Sequence, residues 1–377
     1  MKLKLKNTPE QVELVKALGS KDATVAREAQ EAFAAFIGPV IQKVIKQSAT
    51  AGAIYTDVTY DEDDNPSYPL DLYYDQSAGH VTVWSQSMAG GLPTSLTEGV
   101  KELKISTYRL DAAVSLLKKY ARKSRLDVVS KALERMSQEV LVKQERNAWA
   151  VILKALANSS STNSTAANNG HILATNKESE FSVADISRLM THMKRISASF
   201  ANGTSDPSDS FGLTDLYVSP EVLEQIRSFA YNPLNTRNAS NGVMGLPDNV
   251  REDVWRGAGM SEIYGVSIHD LVELGISKKY NTLFGTFAQN GIAHTGSTEI
   301  GAQSTNFATA DDEILIGVDA SKEAFIRPVA QNADNGATFT ALPDDQFTLR
   351  ADKVGFYGAM EEGRVCIDAR AVAGLVM

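Results

Sequence analysis

The chain has 377 residues, 43% of them hydrophobic and 22% charged, which is ordinary for a globular protein of two or three domains. Its formal net charge of −9 argues against a broad basic surface that wraps nucleic acid. The longest apolar stretch, Ala32–Ile41, is too short to span a membrane, and the basic start lacks the apolar region of a signal peptide. The single cysteine, Cys366, excludes an internal disulfide, and its alternating surroundings indicate a buried apolar residue rather than a nucleophile.

The first fifty residues are predicted to be helical. Thr8–Gln11 supplies a capping hydroxyl, a proline at the first helical position and a glutamine at the third, which together mark the start of a helix. This helix should end at Gly19–Ser20, and a second helix is expected over Thr24–Gln47 with an interruption at Gly38–Pro39. Because the two helices have little of a core's character, we expect an arm that packs on something else.

The acidic segment, residues 51–100, follows this arm. It contains no lysine or arginine, and its eight acidic side chains are Asp57, Asp61, Glu62, Asp63, Asp64, Asp71, Asp75 and Glu98. Alternate residues from Ile54 to Tyr60 lie on one face of a predicted strand, and a turn is expected at Asp61–Pro66. A return strand is expected over 100–108. A two-stranded projection of this kind cannot bury its own faces, so it needs a neighbour.

The next stretch reverses the sign of the charge. Between Lys101 and Arg146 there are twelve basic and six acidic residues. An acidic segment followed by a basic helical one predicts complementary surfaces that meet, either within one chain or between copies. The alternative interpretation is that both are ordinary solvated faces.

A long helix is predicted within this basic stretch. Ser124–Asp127 resembles a capping box, and apolar residues recur at helical spacing from Leu126 to Leu156. A helix that runs to about Ala157 would be about 50 Å long, which makes it a structural spine. A coiled-coil dimer is the alternative, although the heptad register drifts.

Helices and strands mix from Phe181 onward, so the predicted fold class is α+β. The expected elements are a helix over Val183–Phe200, a strand at Leu216–Val218, a helix after Pro220, and strands near Gly265–His269 and Glu313–Val318. The last segment, Asp345–Met377, is predicted to form a long hairpin that turns at Glu361–Gly363.

Catalytic and metal-binding patterns are not found in the sequence. The five histidines are scattered, and none is paired with another at the spacing of metal ligands. Asp61, Asp63 and Asn65 begin like a calcium loop, but Pro66 stands where glycine is needed. Paired carboxylates such as Glu361–Glu362 fall at predicted turns and are interpreted as solvated. We therefore predict no catalytic residue, no cofactor and no metal site.

Four stretches and their order carry a family resemblance: Leu216–Leu223, Ile263–Ile268, Glu313–Asp319 and Val365–Gly374. Together with the helical arm, the acidic β-projection, the spine helix and the mixed region, they resemble the major capsid proteins of tailed bacteriophages, the Hong Kong ninety-seven fold. The resemblance covers nearly the whole chain. Its specificity lies in the order and spacing of the elements, since none of the stretches is a catalytic signature.

The resemblance implies an N-terminal arm over residues 1–50, an extended β-hairpin loop over 51–110, a peripheral domain with the spine helix over 111–180 and 341–377, and an axial domain over 181–340. It implies a protein that is not an enzyme. Pentamers and hexamers of the chain would form an icosahedral shell around double-stranded DNA, without sequence-specific binding and without a membrane. The expected location is the virion, with assembly in the host cytoplasm.

The resemblance also implies further partners. A portal protein is expected, and so is a decoration or cement protein. Because the chain enters the arm directly at Met1, we expect a separate scaffolding protein. Some family members weld their shells through a lysine of the extended loop. The acidic segment has no lysine, so noncovalent contacts between subunits are expected instead.

The predicted contact between subunits joins the acidic loop to a basic surface of the next peripheral domain. The acidic candidates are Asp57, Asp61, Glu62, Asp63, Asp64, Asp71 and Asp75, and the basic candidates are Lys118, Lys119, Arg122, Lys123 and Arg125. Two alternative functions stay open. An encapsulin-like nanocompartment shell protein shares the fold, whereas a cytosolic hydrolase predicts a deep pocket with clustered titratable groups.

Overall fold

The computed structural model describes residues 8–48, 50–61, 66–69, 102–123, 126–161, 171–175, 179–200, 212–228, 262–288, 307, 309–321, 323–332, 338–344 and 352–377. The chain divides into two compact units. Unit 1 comprises Met1–Tyr68, Glu102–Ala148 and Phe325–Val365, and unit 2 comprises Pro69–Lys101, Trp149–Ala324 and Cys366–Met377. Each unit therefore combines stretches that are far apart in the sequence.

The described residues form both helices and strands, which confirms the predicted α+β class. The helices are α1 (Pro9–Leu18), α2 (Ala23–Ser48), α3 (Lys118–Arg122), α4 (Leu126–Ser161), α5 (Val183–Phe200), α6 (Pro220–Ser228) and α7 (Lys279–Phe287). None of these described helices is long and apolar enough to cross a membrane.

The strands of the described residues are β1 (Thr56–Asp61), β2 (Ser67–Pro69), β3 (Glu102–Lys104), β4 (Tyr108–Leu117), β5 (Ile172–Ala174), β6 (Asp215–Val218), β7 (Glu262–Ile263), β8 (Val266–Asp270), β9 (Ile314–Val318), β10 (Phe325–Gln331), β11 (Thr340–Asp344), β12 (Lys353–Glu362), β13 (Val365–Cys366) and β14 (Val372–Val376). Their positions confirm the strand predicted up to Tyr60 and those predicted at Leu216–Val218, Gly265–His269 and Glu313–Val318. The return strand expected over 100–108 is instead divided between β3 and the start of β4.

Helix α1 begins and ends where the sequence predicts. Thr8 Oγ1 accepts a hydrogen bond from the Gln11 amide at 3.4 Å, and Pro9 lies in the first turn. The helix closes at Gly19, whose amide bonds back to the preceding turn. A local capping signal was thus sufficient to place this element.

Helix α2 differs from its prediction, because it continues through Gly38 and Pro39 without a break. The expected interruption is wrong. Proline removes one backbone donor from a helix, but packing on both sides can hold the helix together. Phe33 and Ile41, which lie on either side of the Gly-Pro pair, are both buried in the core of unit 1.

The sheet of unit 1 contains β1, which lies at the start of the acidic segment, and β4, which follows that segment. Its order is β1-β10-β12-β11, and β4 also pairs with β12. Strands β4 and β12 are antiparallel over their full length, with Tyr108 opposite Glu362. Strand β1 is parallel to β10, which places Asp57 opposite Arg327. Strands β1 and β4 are therefore fixed within one sheet.

Helices α1, α2 and α4 cover the apolar core of unit 1. Leu133, Met136 and Val140 recur at helical spacing on α4 and are all buried. On α2, Phe33 packs against Phe356 of β12, with ring centroids 5.3 Å apart. With 36 residues, α4 is about 54 Å long, which confirms the predicted spine helix. The predicted capping box around Ser124 lies outside the described residues.

The sheet of unit 2 has the order β5-β14-β9-β6-β8-β7. Strands β9 and β14 are buried at every residue, which is typical of central strands that are covered on both faces. Strands β6 and β8 are parallel. Apolar residues of α5 and α6, among them Leu189, Met193 and Val222, complete the core.

The predicted C-terminal hairpin is wrong. Strand β12 ends at Glu362, and the chain does not fold back along it after Gly363. Instead, β14 pairs with β9 and with β5 in the sheet of unit 2. The reason is visible in its composition: Val372–Val376 is apolar at every position, which suits the centre of a sheet better than a half-exposed hairpin.

Candidate functional site

The most extensive polar cluster of unit 1 lies at the end of β12. The pairing of the strands brings it together, since Glu362 is opposite Tyr108 of β4 and also opposite Val329 of β10. Arg327 lies two residues before Val329 and opposite Asp57. Neighbouring strands therefore deliver charged and hydroxyl side chains to one place.

Glu362 is fully buried and accepts hydrogen bonds from four side chains. Arg327 Nε donates at 2.7 Å, Tyr108 Oη at 2.7 Å, Gln144 Nε2 at 3.1 Å and Arg364 Nε at 3.4 Å. A buried carboxylate is stable only when its charge is paired and its oxygens are satisfied. These donors meet both conditions and join β4, β10 and α4 through one side chain.

Two arginines extend the cluster toward β1. Arg327 Nη1 lies 3.2 Å from Asp57 Oδ1, so the same guanidinium bridges the acidic segment and the buried carboxylate. The Arg364 guanidinium lies over the ring of Tyr55, 4.9 Å from its centroid. The Tyr55 hydroxyl in turn donates to the Ala148 carbonyl of α4 at 2.9 Å. The start of β1 is thus attached to α4.

The neighbouring carboxylate, Glu361, contacts the same two flanking regions. Its Oε1 accepts hydrogen bonds from Thr107 Oγ1 at 2.6 Å and from Tyr60 Oη at 3.2 Å. The interpretation of Glu361–Glu362 as a solvated turn is therefore wrong. Long-range strand pairing, which local sequence does not report, places both carboxylates among donors.

One turn of α4 also holds the end of the arm. Glu145 accepts hydrogen bonds from Thr50 Oγ1 at 2.5 Å and from the Ala51 amide at 3.3 Å. Gln144, which precedes it, donates to Glu362. The end of the arm at Thr50, the start of the acidic segment at Ala51 and the end of β12 are consequently fastened to adjacent residues of the spine helix.

Burial, and next to it the charge of Glu362, raises the pKa of Tyr108 to about 12. A tyrosine in the unfolded chain ionises near 10. Because the folded-state pKa is the higher one, the stability that Tyr108 contributes is complete below about pH 10 and is lost as the pH rises toward 12.

We expect Tyr108→Phe to lower the free energy of unfolding by about 1–2 kcal/mol near neutral pH, because Glu362 loses a donor. Between about pH 10 and 12, the free energy of unfolding of the variant should fall by less than that of the wild type. Urea unfolding at several pH values measures both effects. Tyr120→Phe, which changes an exposed side chain of α3, should follow the wild-type pH dependence. If the free energy of unfolding fell equally in Tyr108→Phe and in the wild type over this pH range, the contribution assigned to Tyr108 would be contradicted.

The acidic candidates of the sequence analysis are distributed unevenly over the described residues. Asp57 contacts Arg327 of its own chain, and Asp61 is exposed at the end of β1. The other acidic candidates lie outside the described residues: Glu62, Asp63, Asp64, Asp71 and Asp75.

The basic candidates lie on and after α3. Lys119 and Lys123 are exposed, Lys118 is half-buried, and Arg125 lies outside the described residues. Arg122 is engaged within the subunit, since its Nε donates to the Gly19 carbonyl at 2.8 Å and its Nη2 lies 3.4 Å from Asp352. None of the described contacts joins these basic side chains to Asp57 or Asp61.

A groove with a volume of about 710 Å³ runs between β4 and α4. Alanine, valine, leucine and methionine side chains line most of it. Its charged lining residues are two basic ones, Lys131 and Arg135, and two acidic ones, Asp111 and Glu139. With opposite charges in equal number, the groove selects neither an acidic nor a basic ligand.

Catalytic and metal-binding arrangements are absent from the described residues. These residues contain no group of three or more histidine, cysteine, aspartate or glutamate side chains that could hold a metal ion. In unit 2, His269 Nε2 lies 2.7 Å from Asp215 Oδ1, and Thr214 donates to the other oxygen of that carboxylate at 2.7 Å. In a hydrolytic triad the hydroxyl contacts the imidazole, whereas this hydroxyl contacts the carboxylate.

Cys366 also differs from a nucleophile. Burial raises the pKa of its thiol to about 12, so the reactive thiolate is not formed near neutral pH. This agrees with the sequence interpretation that Cys366 is not a nucleophile, although its side chain is half-buried rather than fully buried.

The residues that the sequence analysis missed are Glu362, Arg327 and Tyr108. One signal could have found the cluster, because Arg327 interrupts an otherwise apolar strand, Phe325–Ala330. A charged residue inside such a run is seldom buried without a partner, so its position predicts a buried acidic side chain nearby.

Comparison with known proteins gave no match to a family model. No curated relative matched the sequence. Among solved structures, the fold is similar to the capsid of cyanophage P-SCSP1u, with 13% identity, a TM-score of 0.46, and coverage of 85% of this chain and 86% of that one. The mature capsid of bacteriophage PhiM1 is similar at 10% identity and a TM-score of 0.48, with coverage of 87% and 86%.

An encapsulin is similar over a smaller share of the chain. The similarity to the holo-SrpI encapsulin complex from Synechococcus elongatus PCC 7942 covers 73% of this chain and 74% of the encapsulin chain, at 10% identity and a TM-score of 0.38. The phage structures cover more of the chain. With identities of 10% to 13%, these similarities concern the fold alone.

Proposed function

We propose that this chain is the major capsid protein of a tailed phage. It assembles as pentamers and hexamers into an icosahedral shell that encloses double-stranded DNA, and it acts mechanically rather than as an enzyme. It is a component of the virion that is assembled in the host cytoplasm. A separate scaffolding protein, a portal and a decoration or cement protein are its proposed partners.

The observation that carries the proposal is how unit 1 holds β1, which lies at the start of the acidic segment, and β4, which follows that segment. Both strands are fastened through Glu361 and Glu362 to the rest of the unit. The segment itself has eight acidic side chains and no lysine or arginine. A segment of one charge suits contact with an oppositely charged neighbour. A pocket for a substrate would instead require convergent groups with distinct roles.

The proposed neighbour is another copy of the same chain. We place the acidic loop of one subunit against the basic surface that includes Lys118, Lys119 and Lys123 of the next. Arg122 is a weaker candidate than these lysines, because it already binds Gly19 and Asp352 within its own subunit. Contacts of this kind are exposed to solvent and are therefore sensitive to salt.

The domain assignment belongs to the same proposal. Residues 1–50 form the arm, 51–110 the extended loop, 111–180 with 341–377 the peripheral domain, and 181–340 the axial domain. A two-stranded loop that cannot bury its own faces makes the stability of the subunit depend on assembly. The negative net charge fits DNA that is forced into a shell by a motor rather than bound by a basic tail.

Size-exclusion chromatography of the purified protein, followed by negative-stain electron microscopy of the excluded fractions, tests the proposal. We expect closed shells or rings of five and six subunits, alone or with a scaffolding protein. The shell diameter then distinguishes a phage capsid from a small encapsulin-like compartment. A monomer that forms no particles, even beside a scaffolding protein, would contradict the proposal and favour the hydrolase alternative.

A further inference from the structure

Adjacent residues of a β-strand point to opposite sides of the sheet. This geometry applies to Glu361 and Glu362, the last two residues of β12. On the partner strand, Tyr108 is the first residue of β4 and Thr107 immediately precedes it. Each carboxylate meets one member of that pair: Thr107 donates to Glu361, and Tyr108 donates to Glu362.

Strand β1 shows the same division. Asp57 and Tyr60 are three residues apart in β1 and so lie on opposite sides of it. Tyr60 donates to Glu361 directly, at 3.2 Å. Asp57 is joined to Glu362 through Arg327, whose guanidinium lies 3.2 Å from the former and 2.7 Å from the latter. Both flanking strands are thus bound on both sides.

We infer that Glu361 and Glu362 form a two-sided clamp, a conformational device that fixes the spacing and direction of β1 and β4 in the isolated subunit. The two sides differ in character. Glu362 is fully buried and binds two arginines, so it supplies the permanent half of the clamp. Glu361 is half-buried and binds two neutral hydroxyls, so its half can open while unit 1 remains folded.

The two hydroxyls share one acceptor atom, and this makes the clamp testable. Thr107 and Tyr60 both donate to Glu361 Oε1. Loss of either hydroxyl leaves the other side-chain contact in place, whereas loss of the carboxylate removes the side-chain contacts to both flanks at once and leaves only the backbone pairing of β1 and β4. The inference concerns the free subunit and holds or fails independently of capsid assembly.

Hydrogen exchange of the unassembled full-length protein, followed by mass spectrometry, provides the test. Glu361→Ala should raise exchange about tenfold in peptides that cover both 56–61 and 105–110, because a hydrogen bond to a charged acceptor is lost at each flank. Thr107→Val and Tyr60→Phe should each change exchange less than about threefold, and mainly at their own strand. The double variant should behave like Glu361→Ala.

Two controls separate the clamp from general destabilisation. Glu361→Gln keeps a carbonyl acceptor and should stay within about threefold of the wild type at both flanks. Glu28→Ala removes an exposed carboxylate from α2 and should leave both flanks unchanged. The inference would be overturned if Glu361→Ala raised exchange at only one flank or at neither. It would also be overturned if exchange rose equally over β11 and the start of β12.

Discussion

Replacing Glu362 by glutamine is expected to lower the free energy of unfolding of unit 1 by about 3–5 kcal/mol. The substitution keeps the size of the side chain but removes its charge. The side chains of Arg327 and Arg364 are only 11% and 6% exposed, so the guanidinium of each would lose its buried counter-charge. The new amide would also point N–H donors at a site where four donors already converge.

Urea unfolding measures this loss, with hydrogen exchange of β10 and β12 used to follow unit 1 separately from unit 2. Glu361→Gln is the matched control, since it makes the same chemical change one residue away at a half-buried position. We expect the control to lose less than about 1 kcal/mol. A loss of similar size in both variants would show that burial of the charge at Glu362 is not what stabilises the cluster.

Charge reversal in the acidic segment is expected to reduce the yield of shells at least about tenfold at low salt. The variant replaces Asp61, Glu62, Asp63 and Asp64 with lysine and so converts the proposed attraction to the basic surface around α3 into repulsion. Particle yield from size-exclusion chromatography, measured over a range of salt concentrations, gives the result. High salt should reduce the difference in shell yield between the variant and the wild type, because screening weakens both the attraction and the repulsion.

A second change tests whether the partner is correctly assigned. Replacing Lys118, Lys119 and Lys123 with glutamate in the charge-reversed chain should restore part of the yield, since opposite charges would face each other again. Replacing Asp311 and Asp312 of unit 2 with lysine is the control for a general effect of net charge, and shell yield should be nearly unchanged. Unaltered yield and salt dependence in the original variant would rule out the acidic loop as a contact.

Elements with local signals were predicted well from the sequence. Thr8 and Pro9 place the start of α1, and the recurrence of apolar residues places α4 and α5. Alternation in β1 also holds, since Thr56, Val58 and Tyr60 are half-buried and the residues between them are exposed. In these cases the backbone conformation and the exposed face depend on neighbours within a few turns or residues.

Elements that depend on distant partners were predicted poorly. The Glu361–Gly363 stretch has the composition of a turn, yet the strand that ends there is paired with β4, about 250 residues earlier. Strand pairing brings Tyr60, Thr107 and Tyr108, which lie much earlier in the sequence, beside these two carboxylates. Glu362 is therefore buried and Glu361 is half-buried. Similarly, the break expected at Pro39 is absent because packing overrides the local preference of proline. The candidate site was therefore beyond local reasoning, apart from the hint that Arg327 provides.

The parallel pairing of β1 with β10 has a consequence for synthesis on the ribosome. Strand β1 is made early, but its partner lies at Phe325–Gln331, and β12 and Glu362 come later still. The central strands of the sheet of unit 2 likewise include β14, at Val372–Val376, which is made after all its partners. Proteins dominated by such distant pairings fold slowly, and domains fold as they emerge only when their parts are contiguous. Neither sheet can be completed before its last strands, which lie between Phe325 and Val376, have been synthesised, so shorter nascent chains lack a finished surface through which to join one another on the polysome.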